Sequence, residues 1–352
     1  KIEIYKFEKL IMKEKRLLTG IRPTGPLHLG HYIGALKNYV KLQGDYECFF
    51  LIADVQALTT HADNPKLIQE SVREVVLDFL AVGLDPAKQN VHFVLQSAVR
   101  ELTELTVYLS MVTPFSWMES NPTIRSEREM LLSQGKSVTT GFMYYPVSQA
   151  ADILFVSPDP KESKEPILVP VGEDQIPHIR DTNNISNVFN KTYAPTFVRC
   201  EALVGDVGRL VGTDGRSKMS KSLNNAIYLK DDEKTVAKMI KNMFTDPKRI
   251  HPNDPGTVEG NPVFIYHDAF NPNKEEVADL KERYVKGTVS DVEVKEKLNI
   301  AMQNFLGPIR ERRYASEKSD VFSILEEGTT FARNIAAETI ERTRSSMYLD
   351  YF

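Results

Sequence analysis

The stretch TGIRPTGPLHLGHYIGA, residues 19–35, leaves a short strand at 15–19, crosses a loop rich in glycine and proline, and enters a helix that opens at Gly30. Such a junction leaves the unpaired N–H groups of the helix's first turn beside the carboxyl end of the strand, where a phosphate can be received. Gly30 and Gly34 stand four apart, so one face of the helix carries no side chain and a nucleotide can approach the backbone. His28 and His31 flank the opening. Each can donate a hydrogen bond to a phosphate oxygen whose charge grows during attack at phosphorus. Taken alone, the segment is read about equally well as a strand, a turn and a helix bearing two surface histidines.

The flanking segments repeat the alternation. Residues 30–43 place Ile33, Leu36 and Val40 on one helical face. Residues 46–53, YECFFLIA, have the apolar, aromatic character of a strand buried on both faces. Residues 65–82 read as a helix, 91–96 as a third strand and 167–171 as another. Strands alternating with helices predict an α/β fold, a Rossmann-like parallel sheet whose ligands sit beyond the carboxyl ends of the strands. The polar stretch SPDPKESKEP, 157–166, reads as a surface loop, and 205–225, rich in Gly, Ser and Lys, as a mobile one. Beyond Asp231 the periodicity turns helical at 233–244, 274–286, 289–313 and 320–349, interrupted by a proline-rich stretch at 247–262. The expected organisation is an extension at 1–11, a catalytic domain at 12–230 and a helical domain at 231–352.

Composition narrows the class without choosing a function. A chain of 352 residues, 41% hydrophobic and 26% charged, can bury one large core and a smaller one. The net charge of −4 gives no global sign of a nucleic-acid partner, so any basic surface must be local. The two cysteines, Cys48 and Cys200, lie far apart without CxxC spacing, and neither a zinc site nor an iron–sulfur cluster is expected. Cys48 sits in an apolar run and reads as a small core residue. No signal-peptide core or membrane-spanning stretch is visible, and a cytoplasmic protein is expected.

A second chemical segment lies far downstream: Lys218-Met219-Ser220-Lys221-Ser222, preceded by Gly212-Thr213-Asp214-Gly215-Arg216, on the loop 212–225. Two lysines with a serine between them suit a clamp that neutralises a departing pyrophosphate, with serine donors beside them. Alone, such a pair is more often a solvated basic loop. Together, His28-Leu29-Gly30-His31 and the complete KMSKS segment resemble the signature pair of the class I aminoacyl-tRNA synthetases. The resemblance implies catalytic roles for His28, His31, Lys218 and Lys221 in forming an aminoacyl-adenylate. It also implies an ATP site drawn from Arg22, Thr24, Gly30, His31, Gly34, Asp174, Lys218, Met219, Ser220 and Lys221, with ATP arriving as its Mg²⁺ complex.

Three further segments resemble the tryptophanyl branch of that family. In Tyr145-Pro146-Val147-Ser148-Gln149-Ala150-Ala151-Asp152, Pro146 suits a helix's first turn, and Tyr145, Gln149 and Asp152 share one face. A carboxylate at the floor of a pocket can accept the indole N–H, the ring's one donor. The plainer reading of Asp152 is a salt-bridged surface acid, which its neighbours Ile153 and Leu154 disfavour. Val169-Pro170-Val171-Gly172-Glu173-Asp174-Gln175 leads from a strand into an acidic helix start, and Ala53-Asp54-Val55-Gln56 follows a buried strand. The resemblance implies a tryptophan site made of Gly20, Gln56, Tyr145, Gln149, Asp152, Val169, Val171 and Gln175. It further implies transfer to the terminal ribose 2′-OH of tRNA(Trp), a homodimer, and an anticodon surface on the C-terminal helices. There Arg310, Arg312, Arg313, Arg342 and Arg344 are candidates, each equally readable as part of a solvated helix face. Departures from the pattern are Gln149 where many bacterial members carry Met, Arg125 where Lys is usual, and Arg180 where Glu is usual. A tyrosyl enzyme and a non-catalytic paralogue are the alternatives, and tryptophan-dependent ATP–pyrophosphate exchange separates them.

Overall fold

The computed structural model describes residues 15–204, 210–215, 219, 223–247, 249–251 and 253–351. Five parallel strands form one sheet: β1 (Arg16–Ile21), β2 (Glu47–Ile52), β3 (Val91–Leu95), β4 (Ile167–Val171) and β5 (Cys200–Val204), in the order β3-β2-β1-β4-β5. The chain starts in the middle, builds outward to β3, then returns to add β4 and β5 on the other side. The order therefore reverses between β1 and β4, where open parallel sheets leave a crevice at their carboxyl ends. These two strands share one paired position, Leu17 with Leu168. Further along, Pro170 has no N–H to give, and Thr19 Oγ1 donates to its carbonyl at 2.9 Å.

Alternate side chains of the strands sort onto two faces. Leu17, Cys48, Phe50, Ile52 and Phe93 lie in one buried cluster, and Leu18, Phe49, Leu51 and Val94 in another. Over the first face lies helix α1, in three segments: Leu29–His31, a π turn at Tyr32–Leu36, and Lys37–Leu42. The sequence periodicity gave no sign of the π turn. Helix α2 (Asp54–His61) follows β2, and α3 (Pro65–Val82) returns the chain to β3. The start of α3 is fixed by Asn64, whose side chain accepts from Leu67 N, and by Pro65 in the first turn. It stops at Gly83, whose φ of 101° a side chain would resist. The second face carries α4 (Glu101–Ser110), α5 (Phe115–Ser120), α6 (Pro122–Ser133), α7 (Thr140–Leu154) and, after β4, α8 (Ile176–Thr192).

The remaining helices are α9 (Glu233–Lys241), α10 (Pro262–Phe270), α11 (Lys274–Val285), α12 (Asp291–Ser316) and α13 (Val321–Ser346). The first core runs on from the sheet into them through Val263, Tyr266, Leu298 and Leu306. The second core takes Ala332, Ala336 and Ile340 from α13. That last helix lies against the edge strand β3. A Cβ on Gly328 would fall 2.8 Å from Phe93 N and still closer to Phe93 O, and Thr329 Oγ1 accepts from Leu95 N at 3.0 Å. An otherwise open sheet edge is thereby covered.

Three expectations need correcting. Helix α7 begins at Thr140, with Thr139 accepting from Phe142 N, so Pro146 lies inside the helix and not in its first turn. The proline-rich stretch does not stay irregular to its end: Asn261 caps Val263 N and Pro262 begins α10, in the same arrangement that starts α3. The 157–166 loop is on the surface only at its charged tip, for Ser157, Pro160 and Ser163 are buried. Ser157 accepts from Val198 N and from Arg342 Nη2, which ties the loop to the segment before β5 and to α13. Cys48 and Cys200 are both buried, and burial pushes each thiol up to about 12. No helix among the described residues is long and apolar enough to cross a membrane.

Candidate active site

At the switch point between β1 and β4 opens a cavity of about 350 Å³. The ends of β1, β2 and β4 supply one wall: Thr19 to Arg22, Leu51, and Val169 to Gly172. Helix α7 supplies another through Tyr145, Gln149 and Asp152, the one-face set that helical spacing predicts, together with Ile153. All eight residues expected around tryptophan line this space: Gly20, Gln56, Tyr145, Gln149, Asp152, Val169, Val171 and Gln175. Of the expected ATP set, Arg22, Thr24 and His31 line it as well, whereas Gly30, Gly34, Asp174 and Met219 do not.

Asp152 is 3% exposed. Among the described residues its hydrogen bonds come from one group: Gln96 Nε2 donates to Oδ1 at 2.9 Å and to Oδ2 at 2.7 Å. Burial without a cation lifts the carboxyl to about 7; the Gln96 bonds work against the shift and the field of Asp54 adds to it. Each carboxylate oxygen keeps acceptor capacity for a donor in the cavity.

At the other end of α7 lies a polar chain. Tyr145 Oη donates to Glu127 Oε2 at 2.9 Å and meets His178 Nε2 at 3.3 Å; Glu127 also lies 3.8 Å from Arg22. Burial and the neighbouring Glu127 push the Tyr145 phenol well above its ordinary value, so it remains a neutral donor. Burial lowers His178, and its Nδ1 is buried without a hydrogen-bond partner. Gln149 Nε2 donates to Gln175 Oε1 at 3.3 Å, and Gln175 Nε2 to Asp174 Oδ2 at 3.2 Å. This end can receive an ammonium and a ribose. Glu127, His178 and Gln96 were not singled out as site residues from the sequence; Glu127 lies on a helix that the sequence pattern does not announce, and His178 on the helix expected after Gln175.

The two signature segments meet. Leu29 N donates to Ile227 O and Leu229 N to Leu27 O, each at 2.9 Å, and His28 is bridged to Tyr228. The chain just past the KMSKS segment is thus stitched to the turn that begins α1. Met219 is buried, and its Sδ lies 3.4 Å from where a Cβ on Gly30 would stand. Gly34 faces open space. Gly30 N donates to His28 Nδ1, and His28 N donates to His31 Nδ1, each at 3.1 Å. With both Nδ1 atoms accepting, the proton of each imidazole sits on Nε2, where it can be donated. Leu27 N donates to Asp78 Oδ2 at 2.7 Å, which fastens the turn to α3. Lys218, Ser220 and Lys221 lie outside the described residues.

The five C-terminal arginines bond within the chain. Arg313 pairs with Asp78 and Glu74, Arg344 with Glu104, and Arg310 with Gln303 and Glu233. Arg312 Nε donates to Ala81 O, and Arg342 to Thr196 O and Ser157 O. Arg125 Nε donates to Glu119 O on the exterior. Among the described residues no cluster of three or more His, Cys, Asp or Glu is placed to hold a metal ion.

Comparison with known proteins agrees with this geometry. Residues 12–307 match the model of the tRNA synthetases class I (W and Y). The tryptophan–tRNA ligase of Clostridium longisporum is 45% identical over 349 residues, 97% of this chain and 99% of its own length. That of Streptococcus pneumoniae is 44% identical over 354 residues, 97% and 100% of the two chains. Among solved structures, the tryptophanyl-tRNA synthetase of Campylobacter jejuni complexed with ADP and tryptophan superposes with a TM-score of 0.80 at 35% identity, covering 95% of this chain and 100% of that one. The chain belongs to the class I tRNA synthetases of the tryptophan and tyrosine group.

Proposed function

We infer that the chain is a tryptophan–tRNA ligase, which activates L-tryptophan with ATP and transfers it to the 3′-terminal ribose of tRNA(Trp). The observation that carries the choice of amino acid is Asp152: an acceptor-only carboxylate, buried at the floor of a switch-point cavity and held by a neutral amide. A phenylalanine ring would leave its cavity-facing lone pairs desolvated and without a donor, and sites of that kind reject such analogues by roughly 10⁴-fold.

The roles of individual residues follow from position. The indole stands between Asp152 and the β-strand valines, and the α-ammonium of tryptophan meets Tyr145, Gln149 and Gln175. A carboxylate oxygen of tryptophan attacks the α-phosphorus of ATP; the bond from that phosphorus to the bridging oxygen breaks, and pyrophosphate leaves. His28 and His31 donate Nε2–H to phosphate oxygens, Arg22 and Thr24 stand at the same mouth, and Lys218 and Lys221 neutralise the leaving group. Mg²⁺ accompanies ATP as part of the substrate. In the second step a terminal ribose hydroxyl of the tRNA attacks the activated carbonyl and AMP departs. No side-chain nucleophile is needed, because positioning and charge stabilisation suffice.

Partners and setting complete the proposal: a homodimer, acting in the cytoplasm, with residues 231–352 as the anticodon-binding part. On α9 the exposed Lys234, Lys238 and Lys241 recur at i, i+4 and i+7, opposite the buried Val236 and Ile240, and suit the tRNA backbone better than the paired arginines do. ATP–pyrophosphate exchange measured in parallel with tryptophan, tyrosine and phenylalanine tests the assignment. Strong exchange with tryptophan and little with the others is expected. Exchange as rapid with tyrosine would overturn it.

A further inference from the structure

We propose that Gln96 is a specificity-determining positioning residue, the group that holds Asp152 as an acceptor for an indole N–H. The inference rests on the assignment of tryptophan as substrate and adds a residue to it.

Gln96 follows the last residue of β3 and begins a short 3-10 turn, Gln96–Ala98. Its side chain is buried behind the cavity wall. The amide carbonyl accepts from Gln56 N at 3.0 Å, and the amide nitrogen donates to both oxygens of Asp152. The orientation of the amide is chemically fixed. A backbone N–H can meet only the carbonyl oxygen, and a carboxylate can be met only by the NH₂. Gln56 N belongs to the first turn of α2 and lacks a partner within that helix, so the bond also satisfies an open donor. The grip is mutual, because Asp54 Oδ1 on the same helix accepts from Ser97 N at 2.9 Å. Two chain turns thus clasp each other and leave the Gln96 amide one direction to point.

The consequence concerns recognition. Without Gln96, a buried carboxylate with no cation would either turn toward another donor or take a proton. A protonated acid has an O–H to place and is a weaker acceptor, with less to offer a ring that can only donate. With Gln96 in place, one lone pair on each oxygen is used from behind and the others face the substrate. The indole side of the cavity is therefore built by β3 and α2 as well as by α7.

The test compares wild type, Gln96→Met, Gln96→Asn, Asp152→Asn and the double variant Gln96→Met/Asp152→Asn. Exchange is measured with tryptophan and with its benzothiophene isostere, in which sulfur replaces the N–H. Gln96→Met is expected to raise KM for tryptophan by about tenfold, the worth of one hydrogen bond to a charged group. KM for ATP and kcat should change little, and the preference for tryptophan over the isostere should shrink. On an Asp152→Asn background the same change should have almost no further effect on KM for tryptophan. Gln96→Asn, whose amide is one methylene short of Asp152, should act in the same direction and serves if the methionine variant unfolds. Unaltered KM and isostere preference in a folded variant would overturn the inference, as would an undiminished effect on the Asp152→Asn background. Wild type that fails to exchange with tryptophan would instead remove the substrate assignment, and this inference with it.

Discussion

Asp152 shows a single residue serving recognition at the expense of the empty fold. Its carboxyl is lifted to about 7, chiefly by burial, against an ordinary value of 3.8. A carboxyl raised in the folded state makes the fold less stable as pH climbs from the unfolded value through about 7, since the native protein then carries a buried charge. Asp152→Asn should accordingly raise the melting temperature of the ligand-free protein at about pH 8, by the equivalent of about 1–2 kcal/mol, and much less near pH 5. Recognition has the opposite sign. The ionised form is the better acceptor, so KM for tryptophan in wild type should rise as pH falls below about 7, and the dependence should flatten in Asp152→Asn. A melting gain equal at both pH values, or a wild-type KM indifferent to pH, would contradict this reading. Asp152 was legible in the sequence because Tyr145, Gln149 and Asp152 lie on one helix, where spacing alone places them on a face. Gln96 was not, because its contact depends on how β3 and α7 come to lie together, and no local periodicity carries that information.

Among the elements, the strand–turn–helix at the start of the fold and the chain after the KMSKS segment depend on each other. Their backbone bonds place Met219 over Gly30, and the His28 ring lies between Gly30 N and His31. A methyl group at position 30 would stand 2.9 Å from the His28 ring and 3.4 Å from Met219 Sδ. The ring can give way only by losing the bonds that fix its tautomer. Gly30→Ala is therefore expected to lower kcat/KM for ATP by ~10-fold or more while KM for tryptophan stays close to wild type, since misplacing a positioning group is costly to the chemical step. Lys218→Ala and Lys221→Ala should each slow pyrophosphate exchange by ~10²-fold, the usual worth of a transition-state donor. Rates within a few-fold of wild type would remove the lysines from the mechanism. The strand–loop–helix character of 19–35 and the boundaries of α3 and β4 could be read from apolar spacing, caps and prolines. The π turn at Tyr32–Leu36 and the strand at Cys200–Val204 could not. The first is a detail of packing, and the second has five residues of which one is buried, too short for a period to stand out from its surroundings.

The whole molecule is joined through Asp78. Its carboxylate, fully buried in α3, accepts from Leu27 N at the nucleotide turn and pairs with Arg313 Nη1 of α12 at 2.5 Å. One acid thus links the turn that positions His28 and His31 to the C-terminal helices proposed to meet tRNA. Burial still outweighs the pairing, and Asp78 is raised to about 6. Removing Arg313 would leave a buried carboxylate with the Leu27 bond and without its ion-pair partner, a change that typically costs 3–5 kcal/mol. Arg313→Met keeps the bulk of the side chain, so its cost should be mainly electrostatic, and the sign of its pH dependence follows. The unfolded chain releases this proton near the ordinary 3.8, whereas the folded variant would hold it to a pH above the wild-type value of about 6. The stability lost should therefore be largest at about pH 8 and shrink as acid protonates Asp78 in the folded state. Because the same carboxylate holds Leu27, KM for ATP should rise in the variant at about pH 8 while KM for tryptophan, set on the α7 side of the cavity, should move less. Urea unfolding at several pH values, combined with exchange kinetics, checks both. A loss independent of pH would mean that Arg313 contributes packing alone, and an unchanged KM for ATP would mean that the nucleotide turn holds its shape without Asp78.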